Sequence, residues 1–424
     1  MARPLPPRSI RTLCLQWARI GPYHGARLRA AHAWGADRGG RVVALETAGR
    51  DETYGWEGAG GAEPYERVCA LPDGTAETAR PRVVHAAVTE ALDRVRPDAV
   101  AITSYSTPDA QAALAWCRRH RRPAVCMLAS KADDAPRSAV REWAKSALVR
   151  QFDAGVGGGT PQADYLVRLG VPRDRVFIPY DVVDNDYFWR GAEAARADPG
   201  PVRDRPGLAR PGPFFLASNR LVARKNVAML LDAYARYRAG AERPWPLVLL
   251  GDGPDRGALE AHARGLDGVT FAGRQPFGAL PAYYGLAGAF VHPSLQDQWG
   301  LVVNEAMAAG LPVLVSTRTG AAPDLVVEGD TGYTFAPDDA TGLATLLGTV
   351  AGWSPERRAE VGRQARAHVA QWSPERFAEA VWSAADAGLA TADRSLSPTA
   401  AALLWAHRAV ARRGDQFHAL RDAR

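Results

Sequence analysis

The sequence predicts an α/β protein built from two doubly wound parallel sheets, and three observations carry that prediction. Short apolar, strand-like runs alternate with longer helical patterns through both halves of the chain, the order expected of βαβ units. A chain of 424 residues is too long for one ordinary core and suits two domains of about 200 residues. Between the halves, residues 190–213 are rich in Ala, Arg, Pro and Gly and have no apolar periodicity, which marks a linker. The expected division is a first domain over 1–190, a linker over 191–213, a second domain over 214–390 and a helical, basic tail over 391–424.

Composition narrows the class. Hydrophobic residues at 47% and charged ones at 23% fit a soluble globular chain rather than a disordered one. No apolar run approaches the roughly 20 residues of a spanning helix. The opening MARPLPPRSIRTLCLQWARI lacks the uninterrupted apolar core of a signal peptide. Cys14, Cys69, Cys117 and Cys126 are isolated, without CxxC spacing, and read as reduced thiols of a cytoplasmic protein. A net charge of +6 fits an anionic ligand or an anionic membrane surface.

In the first half, LCLQ at 13–16 is a short strand, followed by the loop IGPYHG and a helix over 26–36. VVAL at 42–45 is the second strand, and the glycine-rich span 49–61 a surface loop near the cleft. Helical patterns over 83–95, 109–120 and 138–152, and one ending at 169, alternate with strands at 99–103, 124–128 and 176–178. The second half restarts with a strand at 214–217 and a helix over 227–237. A strand at 247–250 ends in GDGP before a helix over 258–263, and a further strand covers 270–272. Tyr283 and Tyr284 lie on a short helix as packing residues. After the next two strands come helices over 340–350, 355–372, 374–389 and 398–413. Ser354-Pro355 and Ser373-Pro374, each followed by Glu, are cap-and-proline helix starts.

The chain is organised around residues 291–316, VHPSLQDQWGLVVNEAMAAGLPVLVS. A strand at 289–292 breaks at Pro293-Ser294 and enters a helix through Trp299 and Gly300. Gly310 ends that helix, Pro312 forbids its continuation, and 313–315 is the next buried strand. The loop therefore lies at the carboxyl end of a strand, where open α/β sheets bind ligands. Asp297 and Glu305 flank free amides that favour an anion. Two carboxylates around an amide cluster suit a ligand with hydroxyls at its ends and phosphates between, the shape of a nucleotide sugar.

This segment resembles the signature of the retaining glycosyltransferases of family 4, in which Glu, seven residues and Glu are followed by Ala-Met and Gly-x-Pro-Val. Glu305, Ala306, Met307, Gly310, Pro312 and Val313 match, whereas Asp297 stands where the family has the Glu that contacts the donor sugar. In SNRLVARKN, Arg220 and Lys225 match the Arg and Lys beside the donor pyrophosphate, with Arg224 as an alternative. Gly273 and Arg274 end the strand that packs against the base in the family, and Gly320 and Pro323 match a Gly-Gly-x-Pro-Glu turn in which Ala321 replaces one glycine. The first half resembles the family in layout. The loop with Gly21, His24 and Gly25 stands where a glycine-rich loop meets donor phosphates, and YDVVDNDYF at 180–188 resembles the interdomain crossing. The family's His after the strand at 124–128 is missing. His24, Ser104, Tyr105 and Ser130 are candidates for acceptor or sugar contacts, beside plain readings as loop, cap or packing residues.

The resemblance implies a GT-B fold, with two Rossmann-like domains facing across a cleft and the donor held by the second. It implies transfer of a sugar from a nucleotide donor, UDP-linked, to an acceptor hydroxyl with retained configuration. Arg220, Lys225 and the amides of Gly300, Leu301 and Val302 would stabilise the leaving diphosphate, Glu305 the ribose and Asp297 the sugar. No cofactor beyond the nucleotide sugar is implied, and no metal: Asp133-Asp134 and Asp338-Asp339 read as solvated loop or helix-cap residues. A sugar-nucleotide epimerase of the same fold and a non-catalytic carbohydrate-binding relative stand as alternatives. A nicotinamide dehydrogenase is disfavoured, because no GxGxxG with a downstream acid follows an early strand. Arg137, Arg141, Lys145 and Arg150 give the helix over 138–152 a basic face, either solvated or laid on anionic lipid. This face and the run at 118–122 lack the aromatic interleaving of a nucleic-acid groove.

Overall fold

The computed structural model describes residues 9–50, 63–75, 78–135 and 137–410, the last four as backbone. Its contacts divide the chain into two units, residues 1–182 with 374–423, and residues 183–373.

The first unit is a seven-stranded parallel sheet in the order β3-β2-β1-β4-β5-β6-β7. Along the chain these elements are β1 (Thr12–Trp17), α1 (Pro22–Ala36), β2 (Arg41–Arg50), β3 (Glu66–Thr75), α2 (Pro81–Val95), β4 (Ala99–Thr103) and α3 (Pro108–His120). There follow β5 (Ala124–Leu128), α4 (Ala139–Val149), β6 (Ala154–Gly157), α5 (Thr160–Leu169) and β7 (Val176–Phe177). Strand β2 runs into the span expected as a loop, the rest of which, 51–61, lies outside the described residues. Two strands escaped the apolar pattern. Edge strand β3 contains Pro72, Asp73 and Gly74, and its residues are at most half-buried. Strand β6 is AGVG: a Cβ on Gly157 would lie 2.7 Å from the Ala163 nitrogen, so glycine lets α5 close onto the sheet.

The second unit begins with α6 (Asn185–Ala197), β8 (Phe215–Ser218), α7 (Val227–Gly240), β9 (Leu247–Leu250), α8 (Arg256–His262) and β10 (Val269–Gly273). It continues with α9 (Leu280–Leu286), β11 (Ala289–His292), α10 (Leu301–Ala308), β12 (Val313–Ser316), α11 (Ala322–Leu325), β13 (Gly332–Phe335), α12 (Ala340–Ala351) and α13 (Pro355–Val369). The parallel order is β10-β9-β8-β11-β12-β13, reversing direction between β8 and β11. The four-residue strand β13 was also not anticipated. The linker is shorter than expected, because α6 runs through 191–197. Asp184 caps it by accepting the Tyr187 amide (2.9 Å), and Phe188, Ala192 and Ala195 form a buried face against α9. Small alanines in an arginine-rich stretch hide that periodicity.

Helix α14 (Pro374–Gly388), expected with the second domain, belongs to the first unit. Its Trp382 is buried and donates its indole N–H to the Ala31 carbonyl of α1 (2.9 Å). Helix α15 (Pro398–Val410) packs on α3 and α4; the basic end expected beyond it lies outside the described residues. No described helix is long and apolar enough to cross a membrane. The basic face expected on α4 is partly spent internally, since Arg137 and Lys145 both pair with Glu142 and bond the Tyr165 hydroxyl.

Candidate active site

In the second unit, Arg220, Lys225, Asp297 and the start of α10 gather at the carboxyl ends of β8 and β11, where the strand order reverses, whereas Gly273 and Arg274 lie at the end of edge strand β10. Such a reversal is the position at which open α/β sheets bind ligands. After β8 the chain makes one 3-10 turn, Ala223–Lys225, and Asn226 follows it in the left-handed region (φ 57°). The Asn226 amide nitrogen donates to the carbonyls of Pro293 (3.1 Å) and Pro337 (2.7 Å), and Leu295 N–H donates to the Arg224 carbonyl (2.9 Å). The loop after β8 is thereby tied to the loop after β11. This tie brings Lys225 against Asp297, and the two form an ion pair that is 13% exposed on either side.

Asp297 is held from three directions. Its backbone bridges to the loop after β12, with Gly320 N–H donating to its carbonyl (3.1 Å). Its Oδ2 accepts both the Lys225 ammonium and His292 Nε2–H (2.9 Å). Burial works to raise the Asp297 pKa, but the Lys225 charge and the His292 hydrogen bond outweigh it and hold the carboxyl well below the usual range. Burial also lowers the His292 pKa, so the ring is neutral with its proton on Nε2. Its Nδ1 is then an acceptor that has no partner among the described residues. Both of these side-chain bonds to Asp297 fall on Oδ2.

Trp299 is buried and donates its indole N–H to Asn304 Oδ1 (2.8 Å), bracing the entry to α10. Gly300 opens that helix in the left-handed region (φ 99°), and a Cβ there would lie 3.0 Å from Thr319 Cγ2. The amides of Leu301 and Val302 precede the first intrahelical bond, from Val303 to the Gly300 carbonyl. Glu305, further along α10, is buried and accepts the Tyr284 hydroxyl at 2.7 Å. Tyr284 packs as expected, but this bond gives it a second role that its position on a short helix does not signal. Arg220 is exposed just beyond β8. Gly273 (φ 71°) ends edge strand β10 and accepts Gly251 N–H at 2.9 Å, with exposed Arg274 beside it.

Two further residues at this end of the sheet were not singled out. Asn219, immediately before Arg220, is buried with neither side-chain amide atom bonded among the described residues, and Thr319 after β12 is buried with its hydroxyl likewise unbonded. Buried polar groups normally have partners; these atoms and His292 Nδ1 are unbonded polar atoms at this end of the sheet. For Asn219 the available signal was a polar side chain directly after an apolar strand.

In the first unit the candidates are separate pieces. His24 accepts the Gly21 amide on Nδ1 (3.0 Å) at the start of α1, and burial, with Arg27 nearby, pushes its pKa down to about 3. Ser104 follows β4 in the left-handed region (φ 70°), its hydroxyl 3.3 Å from that of Ser106. Tyr105 belongs to the hydrophobic core, which favours the packing reading. Ser130 is half-buried beside Lys131, which pairs with Asp133 and Asp134. Asp339 caps α12 through the Gly342 amide (2.7 Å), and the described residues contain no cluster of three or more His, Cys, Asp or Glu suited to a metal.

Residues 202–368 match the family model described as glycosyl transferases group 1. The second unit is thus similar to that group. Sulfoquinovosyl transferase SQD2 of Arabidopsis thaliana is 38% identical over 123 residues, spanning 28% of this chain and 24% of that protein. D-inositol 3-phosphate glycosyltransferase of Streptomyces scabiei is 31% identical over 256 residues, spanning 56% of this chain and 54% of that one. The chain spans about half or less of the length of the curated relatives it matches. Among solved structures, HepE of Anabaena in complex with UDP and glucose aligns with a TM-score of 0.62 at 17% identity, covering 87% of this chain and 98% of that one. Sucrose-phosphate synthase from Thermosynechococcus elongatus aligns with a TM-score of 0.63 at 20% identity, covering 88% and 97%. These likenesses show the fold: two Rossmann-like domains of the GT-B kind.

Proposed function

We propose that this protein is a glycosyltransferase that moves a sugar from a nucleotide donor, UDP-linked, to an acceptor hydroxyl with retained anomeric configuration. The observation that carries this reading is the Lys225–Asp297 pair beside the Gly300 start of α10, inside the segment that matches the glycosyl transferases. A fixed cation and oriented amides at one place suit a diphosphate, whose charge grows as its glycosyl bond breaks. Arg220, Lys225 and the amides of Leu301 and Val302 hold the diphosphate, and Glu305, positioned by Tyr284, takes the ribose hydroxyls. The acceptor oxygen forms its bond to the anomeric carbon on the face from which the phosphate oxygen departs, and that oxygen receives the acceptor proton. No protein base or metal is required on this route. HepE, solved with UDP and with UDP-glucose, supports a uridine donor.

Glycosyltransferase action further suits a cytoplasmic protein touching an anionic membrane surface through α4. Val140 is 73% and Trp143 58% exposed there, with exposed Arg141 between them in sequence.

The deciding experiment is calorimetry with UDP and UDP-sugars on wild type and Lys225→Ala, followed by NMR of the anomeric product. The reading requires UDP binding that weakens in the variant, and an axial donor giving an axial product. Absence of affinity for every nucleotide sugar would remove it.

A further inference from the structure

At the amino-terminal ends of β8, β11 and β12 the second unit has a surface cavity of about 480 Å³. Pro213, Gly288 and Pro312, which lead into those strands, are part of its lining. The candidate active site occupies the carboxyl ends of the same sheet, so the cavity is a different place.

Its charge is unbalanced. Arg196 of α6 and Arg358 and Arg363 of α13 line it, against a single carboxylate, Glu193, which already pairs with Arg196 at 2.8 Å. Three positive charges against one negative leave a surplus of two. Arg363 is exposed and has no hydrogen bond or ion pair among the described residues. Arg358 donates to the Trp353 carbonyl (2.8 Å) and lies over the Trp245 ring, 5.0 Å from its centroid. Burial lowers its pKa, so an added anion would be welcome there. Leu286, Leu311 and Ala359 supply an apolar wall beside these guanidinium groups.

We propose that this cavity binds a small organic dianion, of which a phosphate monoester is the type, with its charged end on the arginines and its carbon body on the apolar wall. Guanidinium forks match phosphate oxygens in pairs, and a surplus of two charges matches a dianion. The apolar wall selects an ester over a bare ion. The site abuts α10, since Arg196 donates to the carbonyl of Ala309 at that helix's carboxyl end.

The test titrates phenyl phosphate into the full chain by calorimetry, using wild type, Arg363→Glu, Ala359→Glu and Lys225→Ala. Both α13 positions are exposed, so reversal or addition of charge there leaves the core intact. Saturable one-site binding is expected in wild type, weakened about tenfold or more by each α13 substitution, the scale of a lost charge-assisted bond. Lys225→Ala, at the other end of the sheet, should bind as wild type does. The proposal is overturned by absence of saturable binding, by affinity that either α13 substitution leaves unmoved, or by loss of binding in Lys225→Ala.

Discussion

The Lys225 ammonium and the Asp297 carboxylate, 72 residues apart in sequence, form a largely buried ion pair whose carboxylate also accepts a hydrogen bond from His292 Nε2–H. Two donors thus share one oxygen, and under the proposed function a diphosphate arriving at the start of α10 would compete with Asp297 for Lys225. Removing the cation leaves that oxygen supported by a neutral imidazole alone. Lys225→Ala should lower kcat by roughly 10²–10³, the scale of losing one transition-state charge partner. Steady-state kinetics with a UDP-sugar donor check this, and near-wild-type turnover would remove Lys225 from the mechanism. Because the pair acts as a unit, Lys225→Ala with Asp297→Ala should be less destabilised than the two single losses added together.

Acid should dissolve the same pair late. The Asp297 carboxyl titrates below its unfolded value, so its contribution to stability is fully present above about pH 4, the ordinary aspartate range, and is lost only as pH falls through the depressed folded value. Thermal melts of wild type and Asp297→Asn should differ at pH 7 and still differ at pH 4, converging only in stronger acid. Coincident melting curves at neutral pH would show that the pair adds nothing to folding.

The part of this site contained in one short stretch was readable in the sequence. Asp297, Gly300, Glu305, Gly310 and Pro312 lie within sixteen residues of one strand–loop–helix–strand unit, so spacing alone puts them on successive features of a known geometry. Arg220 and Lys225 stood out through the resemblance of SNRLVARKN to the glycosyltransferase pattern, not through spacing. Their partners did not. The meeting of Lys225 with Asp297 depends on Asn226 bonding two carbonyls from distant loops, and that of Glu305 with Tyr284 on a hydrogen bond between residues 21 positions apart on two different helices. Asn219 carries no signal of its own in SNRLVARKN beyond its place after a strand, and its burial with an unbonded amide is visible only in the structure. In the fold, strands with continuous apolar runs were found, whereas β3, β6 and β13 rely on edge position or glycine rather than on hydrophobic pattern.

Tyr284→Phe isolates the support of Glu305. The substitution keeps the ring and deletes the hydroxyl that donates to Glu305 Oε2, a loss of about 1–3 kcal/mol for a buried polar partner. Denaturant melts should register that loss, and calorimetry should show UDP affinity falling by roughly tenfold, because ribose hydroxyls would meet a less firmly placed carboxylate. Unchanged UDP affinity in a destabilised variant would assign Tyr284 to packing only.

Membrane contact predicts a different phenotype. Trp143→Ala removes an exposed indole from α4, while the Glu142 network that fixes the helix has its own residues. Sedimentation with phosphatidylglycerol vesicles should fall severalfold in the variant, and turnover on a soluble acceptor should be unchanged. Equal sedimentation of both proteins, or none of either, would take the membrane out of the proposed function.

Gly300→Ala probes the geometry that the whole donor reading uses. At φ 99° a side chain is strained by roughly 1–2 kcal/mol, and the new Cβ would lie 3.0 Å from Thr319 Cγ2 and 3.6 Å from Asp297 Oδ2. Relief requires the entry to α10 to turn or Thr319 to yield, and either movement shifts the Leu301 and Val302 amides relative to Lys225. UDP binding should therefore weaken by more than the fold destabilisation alone explains, since the amides would no longer converge with the cation on one anion. A variant of ordinary UDP affinity and lowered melting temperature would mean that Gly300 serves the turn and not the ligand.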